Sequence, residues 1–382
     1  MMNRSEIVII GAGAMGVSTA YHLAKLGHTD IVVLEKNTVA SGSTGKGAGG
    51  FRVQFSTETN IRIAMESIRD LVNFADEMET DIGLHQYGYM LLATTSKDWE
   101  DFHANVALQK SLGAPVELLS QDDLKMAAPY LYLDDVLGGT FCPMDGWADP
   151  YSVAMGFAKQ ARRLGVRISE GVEVTGIHVE HGRVEGVLTK QGEIATHNVV
   201  NAAGAWGGLI GEMAGVEIPI KPYRRQILVT APFDELPDRF PLTIDFAVSW
   251  YFHREGPGLL VGMSDHDEPP GFDQTVSRAF LNKMMEHAMM RVPVLERAGY
   301  KDAWAGLYEI TPDDNPVIGL HLSGVEGLHC VAGFSGHGFM QSPAIGRLMA
   351  DVLVGRKPDI DLSAFALDRF KDGTGQGERA VI

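Results

Sequence analysis

A glycine-rich turn near the start of the chain constrains the fold more than any other feature. The turn, Gly11–Gly16, reads G-x-G-x-x-G and follows the apolar run Ile7–Ile10. An amphipathic run continues to Gly27, and a second apolar run, Ile31–Leu34, is followed by the acidic residue Glu35. A strand, a glycine turn, a helix and a second strand ending in an acid form the fingerprint of a dinucleotide-binding βαβ unit.

Each glycine of this turn has a physical role. Gly11 permits the tight turn, Gly13 lets a pyrophosphate approach the backbone, and Gly16 allows the helix to pack closely on the strand. The helix that begins near Ala14 would direct its free N–H groups and positive dipole end at the phosphates. Glu35 can accept hydrogen bonds from both ribose hydroxyls and would repel a 2′-phosphate. We therefore predict FAD or NAD rather than NADP.

Composition limits the classes of function that fit this chain. With 382 residues it is too long for one ordinary core, so we expect two domains. A content of 45% hydrophobic and 21% charged residues is typical of globular proteins. The formal net charge of −17 argues against a nucleic-acid partner and an anionic membrane surface, since no basic stripe is present to neutralise phosphates.

The cysteines and the first residues of the chain predict a cellular compartment. Cys142 and Cys330 match no metal-ligand spacing and give no disulfide framework. We therefore expect no metal and a reducing, cytoplasmic location. The first apolar run begins at Ile7, so we expect no signal peptide, and no apolar stretch is as long as a membrane span.

Hydrophobic periodicity predicts an α/β pattern interrupted by β-rich segments. The predicted strands are 6–10, 31–35, 166–169, 172–179, 183–190, 199–201 and 328–332. The predicted helices are 14–27, 59–79, 98–112, 152–164, 277–291 and 341–355, with another that starts at Ser120. We expect a nucleotide domain from 1–80, 146–215 and 305–382, and a substrate domain from 81–145 and 216–304. The tail after Lys371 is polar and Gly-rich, and we expect it to be frayed.

Further motifs along the chain point to one enzyme family. They are Ser41-Gly42-Ser43-Thr44, Arg52, Asp145-Gly146 with Asp149-Pro150, Asn201–Trp206, Thr311-Pro312-Asp313 and Gly333–Phe339. With the first turn they cover nearly the whole chain. The set resembles FAD-dependent amine and amino-acid oxidoreductases of the D-amino-acid oxidase superfamily, in the branch of sarcosine oxidase, glycine oxidase and the dye-linked L-proline dehydrogenase β-subunit. The resemblance implies an α/β (α+β) fold with a Rossmann-like FAD-binding domain and a second, antiparallel β-sheet substrate domain, discontinuous in sequence.

The resemblance also implies how the cofactor is held. It places the turn 201–206 beside FAD, the loop around Ser43 and Thr44 along the pyrophosphate and flavin, and Val174 where relatives make backbone contacts to adenine. The helix after the closing glycine loop would point its N-terminus at the flavin pyrimidine ring, where a positive dipole end stabilises negative charge on reduced flavin. The predicted cofactor residues are Gly11, Gly13, Ala14, Met15, Gly16, Glu35, Lys36, Ser43, Thr44, Lys46, Gly47, Val174, Ala203, Gly204, Trp206, Gly306, Gly333, Phe334, Gly336, His337, Gly338, Phe339 and Met340.

Four residues on the substrate side match catalytic positions of the family. Arg52 falls where sarcosine oxidases hold the substrate carboxylate, and a guanidinium fork suits a carboxylate; a surface ion pair is the alternative. Tyr251 and Tyr308 match tyrosines over the flavin face that close the pocket and donate a hydrogen bond, with core packing as the alternative. His337 lies beside the flavin by the same match and would tune its electron density, with a structural hydrogen bond as the alternative.

Departures from the family pattern narrow these expectations. A cysteine of monomeric sarcosine oxidases at the position of Gly306, and a histidine of sarcosine and dimethylglycine dehydrogenases at that of Lys46, bond covalently to the flavin. Neither nucleophile is present, so we expect non-covalent FAD. Leu260 and Met340 replace sarcosine oxidase lysines that serve oxygen reaction and carboxylate binding, and Tyr308 replaces an arginine of glycine oxidase. We therefore expect a dehydrogenase that acts on a secondary amine or cyclic imino acid.

These features predict FAD-dependent oxidation of a primary or secondary amino acid that is L-proline-like or sarcosine-like. Arg52, the one remaining carboxylate anchor, would orient the substrate for hydride transfer from the carbon next to nitrogen to flavin N5, giving an imine. The electrons would then pass to a quinone, a dye, a partner subunit or O2. Four alternatives stay open: an FAD subunit of a heteromeric electron-transfer dehydrogenase complex, an oxygen-using glycine/D-amino-acid-type oxidase, an NAD-dependent dehydrogenase that uses the first turn alone, and a scaffold with vestigial FAD.

Overall fold

The computed structural model describes residues 4–381, and within them the chain forms nineteen strands and ten α-helices. The strands are β1 Ile7–Ile10, β2 Ile31–Glu35, β3 Gly50–Phe51, β4 Tyr89–Ala93, β5 Glu117–Ser120, β6 Gly138–Cys142, β7 Gly146–Trp147, β8 Arg167–Glu170, β9 Val174–Glu180, β10 Arg183–Thr189, β11 Gly192–Ala195, β12 Val199–Asn201, β13 Lys221–Thr230, β14 Leu242–Asp245, β15 Trp250–Glu255, β16 Gly258–Met263, β17 Tyr300–Ile310, β18 Val317–Gly319 and β19 Leu328–Ala332. The helices are α1 Ala14–Lys25, α2 Glu58–Val72, α3 Phe74–Met78, α4 Ser96–Ser111, α5 Gln121–Ala127, α6 Pro150–Arg163, α7 Gly207–Met213, α8 Arg278–Arg291, α9 Gly338–Leu353 and α10 Arg369–Asp372.

The first strand lies inside a six-stranded sheet, which the described residues form in the order β18-β19-β12-β1-β2-β8. The strands run parallel except for β18, which pairs antiparallel with β19. All four residues of β1 are buried, as expected for a parallel strand that is covered on both faces. Helix α1 packs against α6 and α9, so the predicted βαβ unit is covered by the last long helix of the chain.

A second, eight-stranded sheet has the order β17-β13-β16-β15-β14-β4-β6-β5 in the described part of the chain. Its strands pair antiparallel except for β14 and β4. Helix α8 packs on β15 and β16, and its buried last residue, Arg291, forms ion pairs with Asp245 at 2.7 Å and Asp135 at 2.8 Å. The predicted fold class, a Rossmann-like sheet with an antiparallel substrate sheet, is confirmed.

The two large sheets draw their strands from alternating parts of the chain. The six-stranded sheet uses residues 7–35, 167–201 and 317–332, and the eight-stranded sheet uses residues 89–142 and 221–310. On this basis we propose the division expected from the sequence, 1–80, 146–215 and 305–382 against 81–145 and 216–304. Strand β17 crosses the proposed boundary at 304/305, so the two units share a continuous backbone element there.

Some element bounds differ from the sequence prediction. The predicted helix 59–79 is two helices, α2 and α3, which meet at Asn73. Helix α9 begins at Gly338 rather than at 341 although it contains Pro343. Pro343 has no N–H to donate to the Phe339 carbonyl, and the Ser342 hydroxyl donates to that oxygen instead at 2.8 Å. The helix therefore starts one turn earlier, beside the closing glycine loop.

The prediction of a frayed C-terminal tail is wrong for the residues that the structure describes. Glu378 and Ala380 are each only 3% exposed. The Glu378 carboxylate accepts hydrogen bonds from the Ser56 amide at 2.7 Å and from the Asn60 side chain at 2.9 Å. The Ala380 carbonyl accepts one from the Arg52 guanidinium. The tail is therefore held against the segment that carries a predicted catalytic residue.

Candidate active site

A cavity lies between the first glycine turn, the loop 43–52, the eight-stranded sheet and the N-terminus of α9. It contains about 1230 Å³ of space, part of it open to solvent. The predicted site residues that line it are Gly13, Ala14, Met15, Ser43, Thr44, Lys46, Gly47, Arg52, Tyr251, Gly306, Tyr308, Gly336, His337, Gly338, Phe339 and Met340. The predicted residues outside this lining are Gly11, Gly16, Glu35, Lys36, Val174, Ala203, Gly204, Trp206, Gly333 and Phe334. The structure therefore brings all four predicted catalytic residues together in one cavity.

The glycines of the first turn lack a side chain for different structural reasons. Gly11 has a φ of +103°, and a Cβ there would lie 2.5 Å from the Ala202 carbonyl oxygen. A Cβ on Gly16 would lie 2.0 Å from the Gly11 carbonyl oxygen. By contrast, a Cβ on Gly13 would meet only the Thr44 hydroxyl, at 3.2 Å. Gly11 and Gly16 are therefore required by packing, and Gly13 keeps open the approach to the start of α1.

The acid at the end of β2 is held by two backbone amides. One Glu35 oxygen accepts from the Ala12 amide at 3.0 Å, and the other from the Asn37 amide at 2.9 Å. A carboxylate oxygen accepts more than one hydrogen bond, so both remain able to bind ribose hydroxyls. The Val172 amide donates to the Glu35 carbonyl at 2.8 Å. Val174, two residues further on, therefore lies at the same end of the unit as this acid.

A cationic and aromatic group lies beside this acid. The Lys36 ammonium is 3.3 Å from the centroid of a Trp206 ring, and Trp206 stacks on Phe272 with centroids 5.4 Å apart. Burial lowers the pKa of Lys36, and neighbouring carboxylates oppose this shift. The pair ties the residue after Glu35 to the turn that follows β12. The contact unites two predicted cofactor segments that are far apart in sequence.

The closing glycine loop directs α9 at the cavity. Gly333 and Gly336 have φ values of +84° and +93°, which suit glycine, and Ser335 is also left-handed at +48°. His337 precedes the helix, and its buried ring meets Phe55 edge-on at 5.0 Å. Burial, with a smaller contribution from Arg52, lowers the pKa of His337 well below its usual value. The imidazole is therefore neutral at physiological pH.

Glu309 lines the cavity and has one carboxylate oxygen without a hydrogen-bond partner in the described residues. Its Oε1 accepts the Phe334 amide at 3.2 Å, while its buried Oε2 has no hydrogen-bond partner among residues 4–381. Burial raises the pKa of Glu309 to about 7, and the amides of Phe334 and Gly333 oppose the rise. A buried polar atom without a partner is costly, which indicates a ligand group at this position. This orphaned oxygen and the open approach at Gly13 fit a bound FAD.

Three tyrosines and an arginine surround the substrate side of the cavity. Burial raises the pKa values of Tyr251, Tyr308 and Tyr89, so their hydroxyls stay protonated and can donate hydrogen bonds. Arg52 is 2% exposed, and its guanidinium carbon lies 4.3 Å from the Phe55 ring centroid. Burial lowers the pKa of Arg52. Two of its nitrogens donate to backbone carbonyls, so the side chain is held rigidly at the cavity wall.

The two positions that relatives use for covalent flavin attachment are neighbours in this structure. A Cβ on Gly306 would lie 3.0 Å from the Cβ of Lys46. The Lys46 ammonium donates to the side-chain oxygen of Gln274, and the Lys46 carbonyl accepts from the Trp304 indole at 3.0 Å. Neither position offers a thiol or an imidazole at this wall.

Sequence reasoning missed Tyr89, Arg225 and Glu309, all of which line the cavity. Tyr308 and Glu309 are adjacent on β17, and strand alternation predicts that only one of them faces a given side. Both line the cavity because it extends from the sheet face to the closing loop. Alternation along β13 separates Arg225 from Arg224, but the sequence alone does not say which of the two faces inward.

Among the described residues, no group of three or more His, Cys, Asp and Glu side chains is arranged to hold a metal ion. No helix within 4–381 combines the length and the apolar character that crossing a bilayer requires.

Comparison with known proteins agrees with this geometry. Dimethylglycine dehydrogenase, mitochondrial, from Homo sapiens is 32% identical over 388 residues, which cover 96% of this chain and 44% of that protein. The chain thus spans less than half the length of this relative.

Two solved structures share the whole fold. L-proline dehydrogenase from P. horikoshii has a TM-score of 0.91 and 33% identity, covering 98% of this chain and 99% of that one. Glycine oxidase from Geobacillus kaustophilus has a TM-score of 0.87 and 26% identity, covering 96% of this chain and 99% of that one.

The family profile matches across the same region. The profile of the DAO family, described as FAD dependent oxidoreductase, matches residues 6–352. This range includes the first glycine turn, the cavity-lining strands and the closing glycine loop. The chain therefore belongs to the DAO family of FAD-dependent oxidoreductases.

Proposed function

We propose that this chain is an FAD-dependent dehydrogenase of a small amino acid, L-proline-like or sarcosine-like, that yields an imine. One observation supports this proposal most strongly. Arg52, Tyr251 and Tyr308 line the same cavity as the first glycine turn and the N-terminus of α9. The names of the similar proteins, a dimethylglycine dehydrogenase, an L-proline dehydrogenase and a glycine oxidase, support the same substrate class.

The chain's own residues account for binding and orientation. Arg52 faces the cavity with its guanidinium fixed, which suits it to hold a carboxylate in one orientation. The protonated Tyr251 and Tyr308 donate hydrogen bonds and cover the apolar part of the substrate. Bound FAD would supply the two-electron chemistry by accepting a hydride at N5 from the carbon next to the substrate nitrogen.

The charges of the cavity favour the reactive form of the substrate. An amine must lose its extra proton before it can release a hydride. Lys46 and Arg52 line the cavity, and nearby positive charge lowers the pKa of a bound ammonium group. His337 is neutral and adds no further charge. Binding therefore favours the free amine without a dedicated catalytic base.

The electron acceptor and the cellular location also belong to this proposal. Leu260 and Met340 stand where sarcosine oxidase has lysines, which favours a quinone, a dye or a partner subunit over O2 as acceptor. Cys142 and Cys330 are both buried free thiols, which suits a cytoplasmic location. Reoxidation of the reduced protein by air and by an artificial dye would compare the acceptors, and cell fractionation would test the location.

An anaerobic stopped-flow experiment tests the oxidation itself. The FAD-loaded protein is mixed with L-proline, sarcosine, dimethylglycine and glycine, and loss of oxidised flavin absorbance is followed. We expect at least one secondary amine to bleach the flavin, and Arg52→Lys to raise its apparent Kd about tenfold or more through loss of the fork geometry. The exposed Arg62→Gln serves as control. If the flavin stays oxidised with every amino acid tested, the proposed substrate class is refuted.

A further inference from the structure

The cavity contains a second guanidinium that the proposed reaction does not use. Arg225 lies on β13 opposite Gly306 of β17, and its guanidinium carbon is 5.1 Å from the Tyr308 ring centroid. Its Nη1 donates to the Arg224 carbonyl at 2.9 Å, while its buried Nε has no acceptor among residues 4–381. Of the five N–H donors of this side chain, most are therefore available to a ligand.

The neighbouring arginine on the same strand, Arg224, has carboxylate partners for its guanidinium. Arg224 pairs with Glu268 at 3.0 Å and with Asp273 at 2.8 Å, and it also donates to Thr275. Arg225 has no carboxylate oxygen within 4.0 Å in the described part of the chain. Strand alternation turns the two side chains to opposite sides, so only Arg225 reaches the cavity.

Arg52 and Arg225 together make the cavity markedly cationic. Arg52 also lacks a carboxylate partner within 4.0 Å in residues 4–381, although two backbone carbonyls accept from it. Arg52, Arg225 and Tyr308 all line the same cavity, and the Arg225 guanidinium carbon is 5.1 Å from the Tyr308 ring centroid. Glu309 is the carboxylate in the lining, and it accepts the Phe334 amide of the closing loop and forms no ion pair with either arginine in residues 4–381. A partly buried cation without a counterion is costly, and an anionic ligand removes that cost.

We propose that Arg225 binds a second acid group of the substrate, so that the enzyme binds secondary-amine dicarboxylates more tightly than amino acids with a single carboxylate. Arg52 would hold the carboxylate next to the reacting carbon, and Arg225 the carboxylate of the N-substituent. Ile227, Leu242 and Ile244 in the same lining would cover the carbon chain between them. This assignment rests on the proposed function and narrows its substrate class.

A matched pair of probes tests the assignment. Sarcosine and iminodiacetate differ only in that an N-methyl group becomes an N-carboxymethyl group. Each is titrated anaerobically into the FAD-loaded protein, and two signals are recorded: the spectral shift of the flavin on binding, and its bleaching on reduction. We expect the apparent Kd for iminodiacetate to be about tenfold or more below that for sarcosine, because a charged bidentate contact is added.

Variants of the two neighbouring arginines supply the control. Arg225→Gln should raise the Kd for iminodiacetate about 10- to 100-fold and leave that for sarcosine within about twofold, while Arg225→Lys should recover part of the loss. Arg224→Gln, the same change on the outward side of β13, should alter neither. Flavin content and absorbance show that each variant is folded.

The outcomes separate this proposal from the one on which it rests. Tighter binding of sarcosine than of iminodiacetate, or an equal effect of Arg225→Gln on both, would overturn the role of Arg225. If iminodiacetate shifts the flavin spectrum in an Arg225-dependent way without bleaching it, the second acid site stands and the proposed oxidation fails. If sarcosine bleaches the flavin and Arg225→Gln changes the Kd of neither probe, the proposed oxidation stands and the second acid site fails.

Discussion

The carboxylate of Glu309 accepts the amide of Phe334 at 3.2 Å, and this contact joins β17 to the closing glycine loop. Tyr308 of β17 faces the substrate side, and the loop leads into α9, whose N-terminus lines the same cavity. The Ser335 amide also donates to the Glu309 carbonyl at 3.1 Å, and these bonds together hold the wall that carries a predicted catalytic tyrosine against the start of α9. The other Glu309 oxygen is left buried and free to meet a ligand.

Glu309→Gln should remove a pH dependence from FAD binding. Burial raises the pKa of Glu309 to about 7, so the wild-type carboxyl ionises as the pH rises through that value. The ionised form would repel the anionic pyrophosphate, so FAD affinity should fall above pH 7 by up to about tenfold per pH unit. Glutamine cannot ionise, so the FAD affinity of the variant should not change with pH. Equilibrium dialysis with FAD between pH 6 and 8 measures this.

The control for this experiment is Glu235→Gln, the same change on a surface residue paired with Arg297. It should keep the wild-type profile. An affinity for FAD that stays constant or rises with pH in the wild type would show that Glu309 binds the cofactor as a carboxylate.

Two alanine substitutions in the first turn should separate packing from cofactor binding. A Cβ at position 16 would overlap the Gly11 carbonyl oxygen, so Gly16→Ala should lower the free energy of unfolding by about 3 kcal/mol or more. Gly13→Ala meets only Thr44, so the apoprotein should keep its stability while the Kd for FAD rises about 100-fold. Urea unfolding and FAD titration of both variants provide the comparison.

Gly271→Ala is the matched control, because a Cβ there meets nothing within 4 Å. It should change neither stability nor affinity. Wild-type FAD affinity in Gly13→Ala would show that this glycine is not at the pyrophosphate.

Glu378→Ala should destabilise the protein although Glu378 lies only four residues before the last residue of the sequence. Its carboxylate accepts from the Ser56 amide and hydroxyl and from Asn60, so removal breaks three hydrogen bonds that hold the tail. We expect a loss of about 2 kcal/mol in the free energy of unfolding. Urea denaturation measures it, and the exposed Glu217→Ala should have no effect. Equal stability of both variants would mean that the tail is not docked in solution.

Acid precipitation should release the flavin into the supernatant. Covalent relatives use a cysteine or a histidine at the positions of Gly306 and Lys46, and here one has no side chain and the other donates to Gln274. The absorbance spectrum of the supernatant after centrifugation gives the released fraction. A yellow pellet and a colourless supernatant would show that another side chain is bonded to the ring.

Much of the nucleotide half could be predicted from the sequence. The turn from Gly11 to Gly16 and the strands on either side of α1 lie where the pattern predicts them. The same holds for the capping box at Ser120, whose hydroxyl accepts the Asp123 amide while the Asp123 carboxylate accepts the Ser120 amide. These features depend on residues that are near one another in the chain. Local backbone preferences and local side-chain contacts are enough to specify them.

The bounds of α9 show where such local rules give a wrong answer. The sequence pattern predicts a helix start at 341, but the helix extends back to Gly338 although it contains Pro343, and the Ser342 hydroxyl donates to the Phe339 carbonyl. That one turn decides whether the helix N-terminus reaches the cavity.

What the amino-acid sequence alone determined is the dinucleotide unit, because it follows from contacts within a short stretch of chain. Only the tertiary structure decided three other features. It decided which arginine of β13 faces inward, the hydrogen bond between Glu309 and Phe334, and the hydrogen bond from Arg52 to the Ala380 carbonyl. The last contact joins residues 328 positions apart. Contacts of that separation depend on how the two sheets pack, and no local pattern of residue types encodes that packing.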